Sequence, residues 1–184
     1  MKVRLAVVVA AIATWSPPSL GSDPAWRALR AGGTVALLRH AHASGTGDPG
    51  GFHLEDCSSQ RNLSADGRRQ AREIGERFRR QGIVVERVLS SRWCRALDTA
   101  RLAFGDLVQP FPPLDSFFSK RDRTEVQTQA VRQLASDWRA PAVLALVTHQ
   151  VNITALTGVF PAEGEILVLR PTSDGFGLVG RISP

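Results

Sequence analysis

The sequence predicts an α/β protein, a three-layer αβα sandwich with a mostly parallel central sheet. Strand-like and helix-like segments alternate along the chain, which is typical of parallel strands joined by helices. Two of the strand-like segments, "TVALLRH" and "VLALVTH", are nearly continuous apolar runs, as expected of strands that helices cover on both faces. With 184 residues, 43% of them hydrophobic, the chain is long enough for one domain with a substantial core.

Four segments are predicted to be strands: residues 34–40, 84–91, 143–149 and 164–171. The clearest helix starts after Ser64, which can accept hydrogen bonds from the first free backbone N–H groups, and ends at Gly82. The apolar residues of that helix recur at helical spacing on one face, and its other positions are rich in arginine. Further helices are predicted just after Ser91, from Glu125 to Asp137, and in a short segment after His149.

Residues 1–21 are predicted to be a cleavable signal peptide, which leaves residues 22–184 as a single domain. Lys2 and Arg4 precede an apolar run from Leu5 to Trp15, and small residues follow at a spacing typical of cleavage sites. The run is shorter than the about 20 residues that a membrane span needs, although an uncleaved anchor stays an alternative. We therefore expect a periplasmic or secreted protein with no stable membrane insertion after cleavage.

The charge of the chain does not indicate a nucleic-acid partner. The formal net charge is +6, and removal of Lys2 and Arg4 with the leader takes away two positive charges and leaves +4. Most arginines lie in "GRRQAREIGERFRRQG", where they form the solvated face of a helix without interleaved aromatic residues. The two cysteines, Cys57 and Cys94, fit an exported protein either as one disulfide or as two free thiols.

The chemistry-bearing residues follow the strands. Arg39 and His40 end the first strand and His149 ends the third, so all three are expected at the carboxyl edge of the sheet, where α/β proteins bind ligands. The second strand leads into "RWCRALDTA", a helix whose first turn holds Arg92 and Arg95. A helix N-terminus with arginines is an anion site, and the planar guanidinium can bind two phosphate oxygens. A neutral histidine there can attack phosphorus and hold the phosphoryl group covalently.

Four motifs resemble, in order and spacing, those of the histidine phosphatase superfamily, also called phosphoglycerate mutase-like. They are "LLRHAHA", "LSADGRRQAREIG", "LSSRWCRALDTA" and "VTHQVNITAL", and they span residues 34–156. The leader and the "RNLS" stretch look more like the exported branch, which includes lipopolysaccharide core heptose phosphatase, than like the cytoplasmic sugar phosphate mutases. The resemblance and the predicted location favour phosphorylated envelope sugars as substrates, while small sugar phosphates and phosphoproteins stay alternatives.

The resemblance implies a phosphomonoesterase without metal or cofactor. It implies a phosphohistidine at His40 and a phosphate pocket formed by Arg39, Arg95 and His149, with Arg61 of "RNLS" as a further substrate-binding candidate. In the same alignment Arg92 takes a variable place, as expected of a surface residue. The oligomeric state is left open.

The family also uses a carboxylate to protonate the leaving group, and here the sequence departs from the pattern. Ser116 stands where many relatives carry glutamate, and Gln150 stands where another branch has an acid directly after its second histidine. Asp115, next to Ser116, is the predicted acid, with Glu125 as the second candidate and a turn-capping role for Asp115 as the alternative.

Two other functions are compatible with parts of the sequence. The pair His40 and His42, with His53 or Asp56 and with His149, suggests a metal-dependent hydrolase. Against it, the neighbouring arginines would repel a divalent cation, and the aspartate of the common metallohydrolase pattern is missing. The departures at Ser116 and Gln150 support a module that binds phosphate esters without turnover. Otherwise His42 is expected at the rim and His53 in a polar loop.

Overall fold

The structure, a computed structural model, describes residues 23–184, so the predicted signal peptide lies outside the described residues. Five α-helices are present in this part of the chain: α1 (Asp23–Ala31), α2 (Ala65–Arg80), α3 (Cys94–Phe104), α4 (Thr124–Ser136) and α5 (Gln150–Thr157). Six strands accompany them: β1 (Val35–Arg39), β2 (Val85–Ser90), β3 (Val108–Pro110), β4 (Val143–Thr148), β5 (Ile166–Thr172) and β6 (Gly175–Ile182). None of the helices in residues 23–184 combines the length and the apolar character of a membrane span.

All six strands belong to one sheet in the order β3-β2-β4-β1-β5-β6. The pairs β3–β2, β2–β4 and β4–β1 are parallel, whereas β5 and β6 add an antiparallel edge. In the β1–β4 register Arg39 lies opposite Thr148, and the His40 backbone N–H donates to the Thr148 carbonyl. Consequently the first residues after β1 and β4, His40 and His149, leave the sheet side by side.

Helices cover both faces of the sheet, and the alternation along β1 shows how. Ala36 and Leu38 pack into a cluster with side chains of α1, α2 and α3, whereas Val35 and Leu37 pack with α4 and α5. All four of these strand residues are at most 1% exposed, so β1 is buried on both sides. The predicted three-layer αβα sandwich with a mostly parallel sheet is confirmed.

The start of α2 is fixed against the backbone that follows His40. The Ser64 hydroxyl accepts a hydrogen bond from the Gly67 N–H (3.0 Å), and the Ser64 N–H donates to the His42 carbonyl (3.1 Å). A Cβ on Gly67 would lie 2.0 Å from the His42 oxygen, so only glycine permits this approach. The capped helix thus holds the segment after β1 in place.

A disulfide between Cys57 and Cys94 settles the alternative that the sequence left open. It connects the long loop between β1 and α2 to the first residue of α3, across 37 positions of sequence. Next to the bridge, the Cys94 N–H donates to the Gln60 side chain (3.0 Å). The loop is therefore attached to the helix that carries Arg95.

Candidate active site

A pocket of about 100 Å³, lined by several charged side chains, lies at the carboxyl ends of β1 and β4. It brings together five of the residues that the sequence singled out, namely Arg39, His40, Arg61, Arg95 and His149. They come from the ends of two strands, from the loop before α2 and from the first turn of α3. Gln150, also singled out, lines the same pocket, as does Ser116.

The hydrogen bonds of His40 fix which ring nitrogen is free. Its Nδ1 lies 2.8 Å from the Ala41 carbonyl oxygen, which can only accept, so Nδ1 carries the proton. In the neutral ring Nε2 is then the unprotonated nitrogen. His40 is 2% exposed, and burial, followed by the charge of Arg95, lowers its pKa to about 3. His40 is therefore a neutral base at physiological pH, with the lone pair that a nucleophile requires.

His149 lies beside His40, with the ring centroids 5.4 Å apart. The Nε2 of His149 is 2.7 Å from the Ser91 hydroxyl, and its buried Nδ1 has no hydrogen-bond partner among the described residues. When Ser91 donates to Nε2, Nδ1 carries a proton that a ligand oxygen can accept. Burial, followed by the charge of Arg95, lowers the pKa of His149 well below its usual value.

These two histidines should make the protein sensitive to acid. In the unfolded chain each binds a proton near pH 6.5, whereas the folded protein binds these protons only at much lower pH, so stability falls as the pH drops below about 6.5. Between pH 7 and pH 5 we expect each to remove about 2 kcal/mol from the free energy of unfolding, measured by urea denaturation. His40→Ala should reduce this loss. An undiminished loss in His40→Ala would contradict the assignment.

The three pocket arginines point to an anionic ligand. Arg39 donates to the Pro161 carbonyl (2.9 Å), and Arg61 donates to backbone carbonyls of the loop before α2. These hydrogen bonds are donated by the Nη1 atoms of the two guanidinium groups. The Nε atoms of Arg39, Arg61 and Arg95 are all buried without a hydrogen-bond partner in the described part of the chain. Buried donors without acceptors are costly, and a bound anion with several oxygens would satisfy them.

Asp48 is the carboxylate of this pocket, and sequence analysis did not single it out. Its two oxygens pair with Nη1 and Nη2 of Arg95 at 2.6 and 3.1 Å, and one also accepts from the Trp93 indole (3.0 Å). Burial raises the pKa of Asp48, but the hydrogen bonds from Arg95 and Trp93 outweigh it and lower the pKa overall. Asp48 is therefore ionised, and it holds the Arg95 guanidinium in one orientation.

Asp115 does not line the pocket that contains His40. Its carboxylate accepts from the Arg92 backbone N–H (2.8 Å) and from the Arg92 guanidinium at 2.6 and 2.9 Å. These contacts anchor Arg92 and keep the carboxylate outside the pocket, and they disfavour the predicted role of a proton donor to the leaving group. The second candidate, Glu125, is exposed on α4 and bonds to Gln129.

Glu163 is a second acidic residue that sequence analysis missed. Its carboxylate lies 3.3 Å from Arg39, 3.7 Å from Arg61 and 2.7 Å from the half-exposed His42 ring. Glu163 thus partly neutralises the positive charge of Arg39 and Arg61. His42 bonds to Glu163 and does not line the pocket. Residues 23–184 contain no group of three His, Cys, Asp or Glu side chains arranged to hold a metal ion, so the metal set of the alternative hydrolase, built on His40 and His42, is not assembled there.

Arg92 and Arg95 face different cavities. Arg95 is 3% exposed and lines the pocket with His40, whereas the Arg92 side chain is 40% exposed and lines a neighbouring cavity. The Arg95 carbonyl accepts from the Thr99 hydroxyl, which itself accepts from the Ala41 N–H (3.0 Å). The start of α3 is therefore joined to the residue that follows His40.

The chain is similar to known phosphatases in part of its sequence and in its fold. Residues 35–118 match the family model of the histidine phosphatase superfamily (branch 1). No curated protein matches the chain in a sequence search. Similar solved structures include the protein histidine phosphatase SixA complexed with tungstate, which is 17% identical, has a TM-score of 0.60, and aligns over 82% of this chain and 97% of its own.

Two further structures have the same fold. Phosphoserine phosphatase from Entamoeba histolytica is 15% identical with a TM-score of 0.60, over 82% of this chain and 97% of its own. Mycobacterial glucosyl-3-phosphoglycerate phosphatase, complexed with VO3, is 17% identical with a TM-score of 0.60, over 82% of this chain and 99% of its own. The described chain therefore has the fold of these phosphatases, and residues 35–118 are similar to the histidine phosphatase superfamily (branch 1).

Proposed function

We propose that this protein is an exported phosphomonoesterase that acts through a phosphohistidine at His40. The observation that carries the proposal is one small pocket in which a neutral, buried His40 faces three arginines with buried Nε donors that lack acceptors. The superfamily and its phosphatase neighbours support the same activity, and two of those neighbours bind tungstate and VO3, which are oxyanions.

In this mechanism the phosphoryl group of the substrate binds to Arg39, Arg61 and Arg95, with the Nδ1–H of His149 as a further donor. Nε2 of His40 attacks phosphorus while the bond from phosphorus to the leaving oxygen breaks, and the released oxygen takes up a proton from solvent. Water then attacks the phosphorus of the phosphohistidine while the bond from phosphorus to Nε2 breaks. The attacking water loses one proton to solvent, inorganic phosphate leaves, and His40 is again neutral. The Ala41 carbonyl keeps Nδ1 protonated, so Nε2 is the attacking atom in each cycle.

The hydrogen-bond donors of the pocket arginines and His149 should stabilise the transition state. Negative charge on the equatorial oxygens of the transferring group is stabilised by preorganised donors in a pocket that excludes most water. Asp48 and Glu163 contribute indirectly, because they orient Arg95 and Arg39. The described pocket offers no protonated carboxyl group to the leaving oxygen. We therefore expect the highest rates on esters with weakly basic leaving groups, such as p-nitrophenyl phosphate.

Separate observations support the location and the substrate class of the protein. The apolar leader and the Cys57–Cys94 disulfide support an oxidising compartment outside the cytoplasm, since disulfides are rare inside it. Phosphorylated envelope sugars are the substrates that this location and the exported branch of the family favour. A screen of purified residues 22–184 against a panel of phosphomonoesters tests both the activity and the substrate class.

A metal-independent phosphatase should respond to inhibitors in a defined way. We expect millimolar EDTA to leave p-nitrophenyl phosphate hydrolysis unchanged, because arginines rather than a cation bind the phosphoryl group. Vanadate should inhibit, because it adopts the five-coordinate geometry of transferring phosphorus. Loss of activity in EDTA with recovery on adding zinc would support the metal-dependent alternative instead. Vanadate binding without any turnover would support the non-catalytic binding module, for which Ser116 and Gln150 are the sequence evidence.

A further inference from the structure

Gln150 lines the pocket that contains His40, and the phosphoryl-transfer steps described so far use no atom of its side chain. It is the first residue of α5, directly after His149, and it is half-buried. Its side-chain amide is held in place from within the same helix, by the hydroxyl of Thr154 one turn later, at 2.9 Å. Gln150 therefore presents a fixed polar group among the residues of the pocket wall.

The hydrogen bonds of Thr154 determine which end of the Gln150 amide it contacts. The Thr154 hydroxyl donates its single proton to the Val159 carbonyl (2.9 Å), so towards Gln150 it can only accept. The Nε2 of Gln150 is therefore the atom that faces Thr154, and it donates. The amide oxygen, Oε1, has no hydrogen-bond partner within residues 23–184. Gln150 thus carries a free acceptor whose orientation is fixed.

The carboxylate of the pocket cannot take this part, because its oxygens are already occupied. One oxygen of Asp48 accepts from Arg95 (2.6 Å) and from the Arg61 backbone N–H (3.2 Å). The other accepts from Arg95 (3.1 Å) and from the Trp93 indole (3.0 Å). The guanidinium groups of the pocket can only donate. A ligand that needs an acceptor must therefore find it elsewhere in the pocket wall.

Two hydroxyl groups are the other acceptors in the pocket lining. The Ser116 hydroxyl already accepts a hydrogen bond from the Phe118 N–H (3.3 Å). Thr46 is exposed in the loop before α2. Gln150 differs from both, because its amide is held by Thr154 and its oxygen accepts no other hydrogen bond in the described part of the chain. Its Oε1 is thus the acceptor best prepared to orient a ligand.

Hydrolysis of the phosphohistidine requires a water molecule whose lone pair points at phosphorus. Donors cannot orient it in this way, because they bind the lone pair that must attack, whereas an acceptor binds an O–H and leaves the lone pair free. We infer that Oε1 of Gln150 accepts a hydrogen bond from the attacking water and positions it for attack. This inference rests on the proposed function, since it takes His40 to carry the phosphoryl group.

Gln150 should act in the second step of the reaction and not in the first. In the second step the water oxygen bonds to phosphorus, the bond from phosphorus to Nε2 of His40 breaks, and its electron pair returns to the nitrogen. The water loses one proton to solvent, because an amide oxygen is too weak a base to take it. In the first step the ester oxygen that leaves carries no hydrogen, so an acceptor at this place does not assist it.

The variant Gln150→Met tests this inference, because it keeps the length of the side chain and removes the acceptor. We expect the phosphoenzyme formed from p-nitrophenyl phosphate to decay at least about tenfold more slowly, since the water is no longer oriented. The initial burst of p-nitrophenol, which reports formation, should keep its rate within about twofold. Consequently kcat should fall while kcat/KM, which ends at the release of p-nitrophenol, stays the same. Rapid-quench kinetics measures both steps.

Three further variants serve as controls. Gln133→Met makes the same change at an exposed glutamine of α4, and its phosphoenzyme should decay as in the wild type. Gln150→Glu keeps an acceptor oxygen and should decay faster than Gln150→Met. Slower decay in Ser116→Ala, with wild-type decay in Gln150→Met, would assign the water to Ser116 and overturn the inference. Equal slowing of the burst and of the decay in Gln150→Met would also overturn it, because the residue would then only shape the pocket.

The phosphoenzyme itself distinguishes failure of the inference from failure of the proposed function. If the wild type hydrolyses p-nitrophenyl phosphate without a phosphoryl group on His40, the proposed function fails, and the inference fails with it. If the phosphoenzyme forms and decays in the wild type, and decays at the same rate in Gln150→Met, only the inference fails.

Discussion

Replacing His40 by alanine is expected to lower turnover of p-nitrophenyl phosphate by at least about a thousandfold, because it removes the nucleophile of a covalent mechanism. The variant should still fold, because position 40 follows β1, and β1 is held by its pairing with β4 and β5. The measurement is steady-state kinetics on folded protein, verified by circular dichroism. His53→Ala, which changes an exposed histidine of the loop, should keep most of the activity on this substrate.

Activity of His40→Ala close to that of the wild type would exclude His40 as the nucleophile. An intermediate loss, about tenfold, would fit a residue that only orients the substrate. The two cases differ in KM as well. Loss of a residue that binds the substrate raises KM, whereas loss of the nucleophile lowers mainly kcat.

Arg95→Ala should lower kcat/KM by at least about a hundredfold. The Arg95 guanidinium is buried, is oriented by Asp48, and lies in the pocket with its Nε free to donate. Its contact with the phosphoryl group should strengthen as charge develops in the transition state, so its loss costs several kcal/mol. Arg95→Lys keeps the charge but not the planar fork, and should recover only part of the activity.

Arg92→Ala is the matched control, three residues earlier in the same segment. Arg92 contacts Asp115 and lines the neighbouring cavity, so kcat/KM for p-nitrophenyl phosphate should stay within about fivefold of wild type. Both variants should be compared by thermal denaturation, because each leaves a carboxylate without its arginine. If Arg92→Ala is the more damaging substitution, the motif is out of register by one helical turn and Arg92 is the phosphate-binding residue.

The part of the site at the strand ends could be predicted from the sequence, because the pattern of apolar residues identifies buried parallel strands. The continuous apolar runs identify β1 and β4 as buried parallel strands, and parallel strands deliver the residues that follow them to one edge. Hence Arg39, His40 and His149 could be placed together before any coordinates. Arg61 required the family motif, because no periodicity locates a loop residue. The start of the helix after β2 indicated Arg92 and Arg95 as anion ligands, and only the family motif favoured Arg95 over Arg92.

The rest of the site depends on loops and on neighbours distant in sequence. Asp48 lies in a glycine-rich polar loop, and its pairing with Arg95 spans 47 positions, so no local pattern indicates it. Glu163 meets Arg39 across 124 positions. Among the strands, β3 has only three residues and β6 contains three glycines, too little for a pattern of alternation.

The prediction for Asp115 shows a different limit. The sequence analysis predicted Asp115 as the acid, whereas in the structure its neighbour Ser116 lines the pocket. Asp115 has extended backbone angles, and neighbouring side chains in extended chain point to opposite sides. Ser116 therefore lines the phosphate pocket, while the Asp115 carboxylate turns to Arg92 and Ser91. A shift of one residue separates a pocket residue from an anchoring one.

The most direct test of the covalent mechanism is to trap the intermediate. Wild-type protein turning over a phosphomonoester is quenched in alkali, where phosphohistidine is stable, and its peptides are mapped by mass spectrometry. The account predicts a phosphoryl group on His40, lost on acid treatment and missing from His40→Ala. Active protein whose His40 peptide stays unmodified under these conditions, or whose phosphoryl group maps to His149, would contradict it.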